Sequence, residues 1–231
     1  MSTSPLIPTP ELISRITTSI QTSTTLHPTP AYINSLLPTL KPSPLPALTK
    51  TASFRLLTTD FTTTLSHPQT PLFPPTIHDA ALPEYRLPGE HPMPVQVVSV
   101  EDLGRSRMEQ LEKLEAGERG EAVKGVELVR TGEEDEDGCR EESTKGPCKL
   151  VLEDAKGVRV FGIELKPVEG VKLGMFIGTK LLLHNTIVAR AVLLLEPATT
   201  TILGGKIEAL HAAWLENRKK ELLAALEAGK T

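Results

Sequence analysis

Aromatic side chains are scarce in this 231-residue chain, at 3% of all residues. A protein that holds single-stranded nucleic acid by stacking bases needs several exposed rings and a basic groove. The overall charge of −4 supplies no general attraction for phosphate either. Cysteine is almost absent: Cys139 and Cys148 are separated by eight residues without a CxxC pair, which excludes a disulfide framework and fits a reducing compartment. No apolar run approaches the roughly 20 residues that a membrane span requires. The opening MSTSPLIPTPELISR has neither an early positive charge nor an apolar core, so no secretory signal is expected. These absences predict a soluble, intracellular protein with no membrane partner.

Catalytic signatures are missing as well. The segment 174–180 reads GMFIGTK, but the spacing is wrong for a phosphate-binding loop and the lysine follows the threonine instead of preceding it. Gly170, Gly174 and Gly178 have the spacing of a membrane helix-packing motif, yet Lys172 sits among them, and a tight connection explains them better. His184 and His211 stand alone, and no group of ligands has metal spacing. His78-Asp79 falls in a proline-rich stretch and no GxSxG occurs. The chain is therefore expected to be no enzyme, with no metal and no cofactor.

What is present is organised by proline and charge. Of 20 prolines, 17 lie at or before Pro94. Thr9-Pro10-Glu11 is a helix-start signal, followed by Leu12, Ile16 and Ile20; Thr29-Pro30 repeats it before Ile33, Leu36 and Leu37. A third run places Phe54, Leu57, Phe61 and Leu65 on one helical face and ends at His67-Pro68. Three short amphipathic helices follow, none stable alone. Residues 68–94 lack periodicity and read as an extended linker lying on a surface. Strands are predicted at 95–100, 149–154, 158–165, 180–186 and 191–196, with a hairpin turn at Asp154-Ala155-Lys156-Gly157. Five short strands with an irregular link between the third and fourth match a partly open Greek-key barrel.

The predicted fold is α+β: an N-terminal three-helix bundle (1–67), the linker (68–94), an OB-fold β-barrel (95–203) and a C-terminal helix (204–231). A long insertion, 103–147, separates strands one and two. It carries 8 basic and 13 acidic residues, including the acidic run 133–142. Its first part has Met108, Leu111 and Leu114 at helical spacing, an apolar stripe suited to a partner or to packing back on the barrel. Several strands are apolar on both faces, so the outer wall must be covered by helices or by another protein. Phe161, with Ile163 and Leu165 on its face, reads as core. Lys180, at the start of a strand, is the candidate for a polar contact with a partner or a plain surface lysine. Arg218-Lys219-Lys220 reads as a solvated helix face, with at most weak DNA attraction. A protein partner is favoured over the rival reading, a stand-alone single-stranded-DNA-binding OB-fold.

Several ordered segments carry a resemblance: LLTTDFTTTLSHPQTPLFP (56–74), LPGEHPMPVQVVSVEDLGRSRMEQLEKLE (87–115), LVLEDAKGVRVFGIELKPV (150–168), GTKLLLHNTIVARAVLLLEP (178–197) and TILGGKIEAL (201–210). Together they resemble the RecQ-mediated genome instability protein 1 family over nearly the whole chain. The resemblance implies a nuclear, non-catalytic subunit of a complex between a RecQ-family helicase and topoisomerase III, a type IA enzyme. It implies that the barrel binds the topoisomerase and that the insertion tunes its DNA gate, promoting decatenation and dissolution of double Holliday junctions. DNA is then met weakly or through the complex. Larger members carry a second OB domain that binds a second small partner; that domain is not expected here, and the partner is left open.

Overall fold

The N-terminal helices begin where an oxygen can accept an otherwise unpaired backbone N–H. The computed structural model describes residues 7–66, 68–118 and 146–228. Thr9 caps α1 (Pro10–Thr24) by accepting the Leu12 N–H at 3.3 Å, and Thr29 caps α2 (Pro30–Leu36) by accepting that of Tyr32 at 3.2 Å. Both starts fall where the sequence predicts them. The third run differs. It forms two helices, α3 (Leu45–Leu57) and α4 (Phe61–Thr64), because Asp60 restarts the chain by accepting the Thr62 N–H at 2.9 Å. The buried face of α3 is Leu48, Thr49, Ala52 and Leu56, while Phe54 is turned outward and is 65% exposed. Ile16, Ile20, Ile33, Leu37, Leu56 and Phe61 form the helical core, joined by Ala155 and Leu182 from the barrel.

Residues 68–94 are more than a linker. Phe73, Ile77, Leu87 and Met93 are buried in the barrel core. The prolines remove backbone donors, so the segment needs no ladder, and the apolar residues between them drop inward. The Phe73 N–H donates to Asp154 Oδ2 at 3.0 Å. Asp154 also receives the N–H groups of Lys156 and Val158, each at 2.9 Å, which fixes the predicted hairpin.

The remaining elements are β1 (Tyr85–Arg86), β2 (Met93–Asp102), α5 (Arg107–Glu118), β3 (Cys148–Asp154), β4 (Arg159–Glu164), β5 (Lys180–Leu183), β6 (Ile187–Ala189), β7 (Val192–Leu195), β8 (Thr200–Gly204) and α6 (Glu208–Ala228). The eight strands make one curled sheet, ordered β1-β6-β7-β4-β3-β2-β5-β8, in which only β4 and β7 run parallel. The five predicted strands correspond to β2, β3, β4, β5 and β7. Strands β1, β6 and β8 were not expected. A bulge at Val98 shifts the register of β2, so that Val95 and Val97 before it and Val100 after it all point into the core. The architecture is the predicted α+β OB-fold.

The helical part and the barrel are joined by a polar network. Gln96 on β2 accepts from the Phe61 N–H at 3.1 Å and from the Lys180 ammonium at 2.8 Å. Its amide nitrogen donates to Asp60 at 2.9 Å and to Glu153 at 2.8 Å. Gln96 and Lys180 are fully buried. Gln96→Leu strands the ammonium and the Phe61 N–H without an acceptor. Denaturant unfolding should show a loss of about 3 kcal/mol or more; a loss within about 0.5 kcal/mol would mean that the network does not hold the two parts together.

Candidate functional site

Three sectors of the sheet's outer surface have different fates. The first, at Gln96, Glu153 and Lys180, lies under the N-terminal helices. The second lies under α6: the Trp214 indole N–H donates to Ser99 at 3.0 Å, and Arg218 binds Glu101 at 2.9 Å and Gln110 of α5 at 3.1 Å. Arg218, expected on a solvated face, is thus largely enclosed.

Among the described residues, no element covers the third sector. Cross-strand register aligns Val151, Phe161, Val192 and Ala189 in one row and Lys149, Ile163, Leu194 and Ile187 in the next. Phe161 is 50% exposed and Leu165, just past β4, is 55% exposed; the other apolar members are half-buried. The patch is rimmed by ion pairs, Arg159 with Glu153 at 2.8 Å and Lys166 with Glu196 at 3.1 Å. The Lys149 ammonium lies 4.8 Å from the Phe161 ring centre. A polar-rimmed apolar face of this kind is suited to protein contact.

Phe161 is therefore not core, contrary to expectation. The inward face of β4 is Val160, Gly162 and Glu164. A side chain at Gly162 would press on Leu195 and Leu152 at 3.2 and 3.3 Å. The Glu164 carboxylate turns inward because it accepts the backbone N–H groups of Cys148 at 2.8 Å and Val168 at 2.9 Å. The signal that could have revealed this is Arg159, a charge on the same side of the strand as Phe161.

The insertion leaves the barrel beside this patch. Its two ends are pinched together by the Leu103 N–H donating to the Pro147 carbonyl at 3.0 Å and by direct backbone contact between Gly104 and Gly146, where no Cβ fits. Asp102 holds the turn, accepting from Gly104 N–H at 2.9 Å and pairing with Arg105 at 3.0 Å. The acidic run and Cys139 lie outside the described residues.

The candidate contact residues separate. Leu111 and Leu114 are buried and pack back onto the body, so of the three only Met108, 50% exposed, is open to a partner. Lys180 is corrected more sharply. Its ammonium is enclosed between Gln96 and the Phe61 ring, 4.5 Å from the ring centre. It cannot reach a partner's surface from there. Among the described residues no group of three or more metal-ligating side chains occurs, and no helix is long and apolar enough to cross a membrane.

A family model described as the RMI1 N-terminal OB-fold domain matches residues 73–218, and one described as the RMI1 N-terminal helical domain matches residues 21–64. The chain belongs to the RecQ-mediated genome instability protein 1 family. Neither model describes an enzyme. A relative named RecQ-mediated genome instability protein 1 from Schizosaccharomyces pombe is 41% identical over 135 residues, covering 52% of this chain and 57% of that protein. Another of the same name, from Xenopus laevis, is 29% identical over 159 residues, covering 68% of this chain and 27% of that protein. The chain thus spans about half of the first and about a quarter of the second. Within the family framework, the helical match ends at Thr64, inside the region that supplies Asp60 and Phe61 to the joint.

Burial pushes the Lys180 ammonium down to about 7, with Asp60 and Glu153 opposing the shift. The unfolded chain, with an ordinary lysine, therefore binds more protons than the folded one between about pH 7 and 10, and stability rises across that window. Thermal melts of the parent protein should show this rise, and Lys180→Met should flatten it. An unchanged slope in the variant would assign the effect elsewhere.

Proposed function

We propose that the protein is a non-catalytic nuclear subunit of a complex between a RecQ-family helicase and topoisomerase III, and that it docks on the topoisomerase through the uncovered face of its OB-fold. The observation that carries this reading is the apolar sector across β3, β4, β7 and β6, left bare among the described residues while the sectors beside it lie under the N-terminal helices and α6. Family membership supports the class of partner, since the relatives are named for RecQ-mediated genome instability.

In this reading the barrel binds, and the insertion acts on the enzyme's DNA gate. The pinched root gives 103–147 a fixed point of departure, and α5 is anchored by Leu111, Leu114 and the Gln110–Arg218 contact. A rigid base lets contacts further out favour one gate state over another. A preference of about 1–3 kcal/mol shifts a two-state gate about 5- to 150-fold. That is enough to redirect strand passage toward decatenation and dissolution of double Holliday junctions. Nothing in this role requires the subunit to make or break a bond.

Pull-down of the purified chain with topoisomerase III tests the docking face. Phe161→Glu with Leu165→Glu should weaken capture at least about tenfold, because each substitution removes apolar contact and buries a charge at the interface; capture as strong as the parent's would rule the face out. Replacing 119–145 by a flexible linker of about ten residues keeps α5 in place. That variant should melt like the parent and still be captured, while decatenation falls. Equal loss of capture and decatenation would remove the division of labour.

A further inference from the structure

Five Ser/Thr-Pro dipeptides begin at Ser4, Thr9, Thr29, Ser43 and Thr70. Barrel docking uses none of them. A proline after a hydroxyl residue has no backbone N–H and holds that residue in an extended shape, which are the features a proline-directed kinase selects. The structure sorts the five by whether the hydroxyl is open. Ser4 lies outside the described residues. The Thr9 and Thr29 hydroxyls are committed as caps of α1 and α2, and the proline after each is already the first helical residue. Thr70 is 5% exposed, in a bend closed by its N–H donating to the Ser66 carbonyl at 2.9 Å.

Ser43 is different. It is exposed in the short connection from Thr39 to α3, between Pro42 and Pro44. Its hydroxyl makes no hydrogen bond among the described residues. Leu40 has ψ 146° and Pro44 has φ −56° and ψ 149°, so the chain is extended on both sides of it. Lys41 and Ser43 each precede a proline, which keeps both out of the helical region. The proline after this hydroxyl stands outside the helix, because α3 begins only at Leu45. The segment is thus laid out before any enzyme meets it. The start of α3 has no acid in its first turn and no side-chain cap. Between Glu11 and Asp60 the sequence carries four cations, Arg15, Lys41, Lys50 and Arg55, and no acid. No acid in that stretch opposes a phosphate on Ser43.

We propose that Ser43 is the acceptor site of a proline-directed Ser/Thr kinase, and that the folded chain carries the phosphate without disturbing α3. In the transfer the Ser43 Oγ attacks the γ-phosphorus of ATP held by the kinase. A new O–P bond forms, and the bond from the γ-phosphorus to the bridging oxygen breaks. ADP leaves, and the hydroxyl proton passes to a base of the kinase. The added charge of about −1.5 to −2 cancels up to about half of the four positive charges between Glu11 and Asp60. Modification therefore weakens the general attraction of the helical domain for anions. The site does not rest on the topoisomerase reading.

Incubation of the whole folded chain with ATP and a purified proline-directed kinase, with each site followed over time by mass spectrometry, tests the assignment. Ser43 should be the first of the four described hydroxyls to be modified. Thr70 must wait for local opening, so its rate should be at least about tenfold lower. Ser43→Ala should remove this phosphate and leave the slower sites as they are. Pro44→Ala should leave Ser43 unmodified over the same period, since it restores the backbone N–H and releases the extended shape. Circular-dichroism melts of both variants should match the parent, and the modified parent should melt no lower than the unmodified one. A folded chain unmodified at Ser43, or modified there no faster than at Thr70, would overturn the proposal. So would undiminished modification of Ser43 in Pro44→Ala, or a fall in melting temperature when Ser43 is modified.

Discussion

An ammonium group removed from water loses several kcal/mol of solvation, and the protein places one, Lys180, at the junction of its two parts. The arrangement works because Gln96 is held from both ends. Its carbonyl oxygen receives the Phe61 N–H and the ammonium, and its amide hydrogens go to Asp60 and Glu153. Two carboxylates lie close enough to oppose the loss of charge on the lysine. The donors and acceptors come from α4, β2, β3 and β5, so the network is completed only when the helical domain is seated. Asp60 does two jobs in this design, capping α4 and closing the network. The helical domain is thereby a part of the barrel's outer wall.

That seating divides the outer surface. The helical domain takes the sector near Gln96, α6 takes the sector near Ser99 and Glu101, and the bulge at Val98 lets one strand serve both covers while keeping three valines inside. Among the described residues, nothing covers the face of β3, β4, β7 and β6. Its exposed ring and branched chains are not a failure of core formation, because the inward positions of β4 are filled by Val160, by Gly162 against Leu195, and by a glutamate that satisfies two backbone N–H groups. The exposed face is the one that the interior does not require.

The sequence was readable where a single local rule decided the outcome. Thr9 and Thr29 start helices because a hydroxyl followed by proline has few alternatives. The hairpin at 154–157 and the five predicted strands follow from alternation and turn chemistry. Legibility failed where a tertiary partner decided. Phe54 and Phe61 share a helical spacing, yet Asp60 breaks the helix between them, and its tie to Gln96 is 36 residues away. Phe161 looked internal because both faces of β4 are apolar enough to be buried, and the choice rests on Leu195 and Leu152. Lys180 looked external because a lysine is almost never fully buried, and no local feature shows that a glutamine and two acids await it. Residues 68–94 looked like a linker because proline hides apolar residues whose spacing obeys neither period.

The bare face and the root of the insertion are physically continuous. Lys149 lies over Phe161 on one side and pairs with Glu101 at 3.7 Å on the other. Glu101 also binds Arg218, which holds Gln110 of α5, and the Gln110 amide returns to the Asp102 carbonyl at 2.9 Å. Burial pushes the Glu101 carboxyl up, but Arg218 and Lys149 together bring it below its ordinary value, so it stays charged. Covering Phe161 with another protein would take water from Lys149 and strengthen its attraction to Glu101, since Coulomb energy grows as the local dielectric falls. The tightened contact acts on the residues that fix the orientation of α5. Docking at the sheet face, as proposed, would therefore be linked to positioning of the insertion through Lys149 and Glu101, with no need for the barrel itself to change shape.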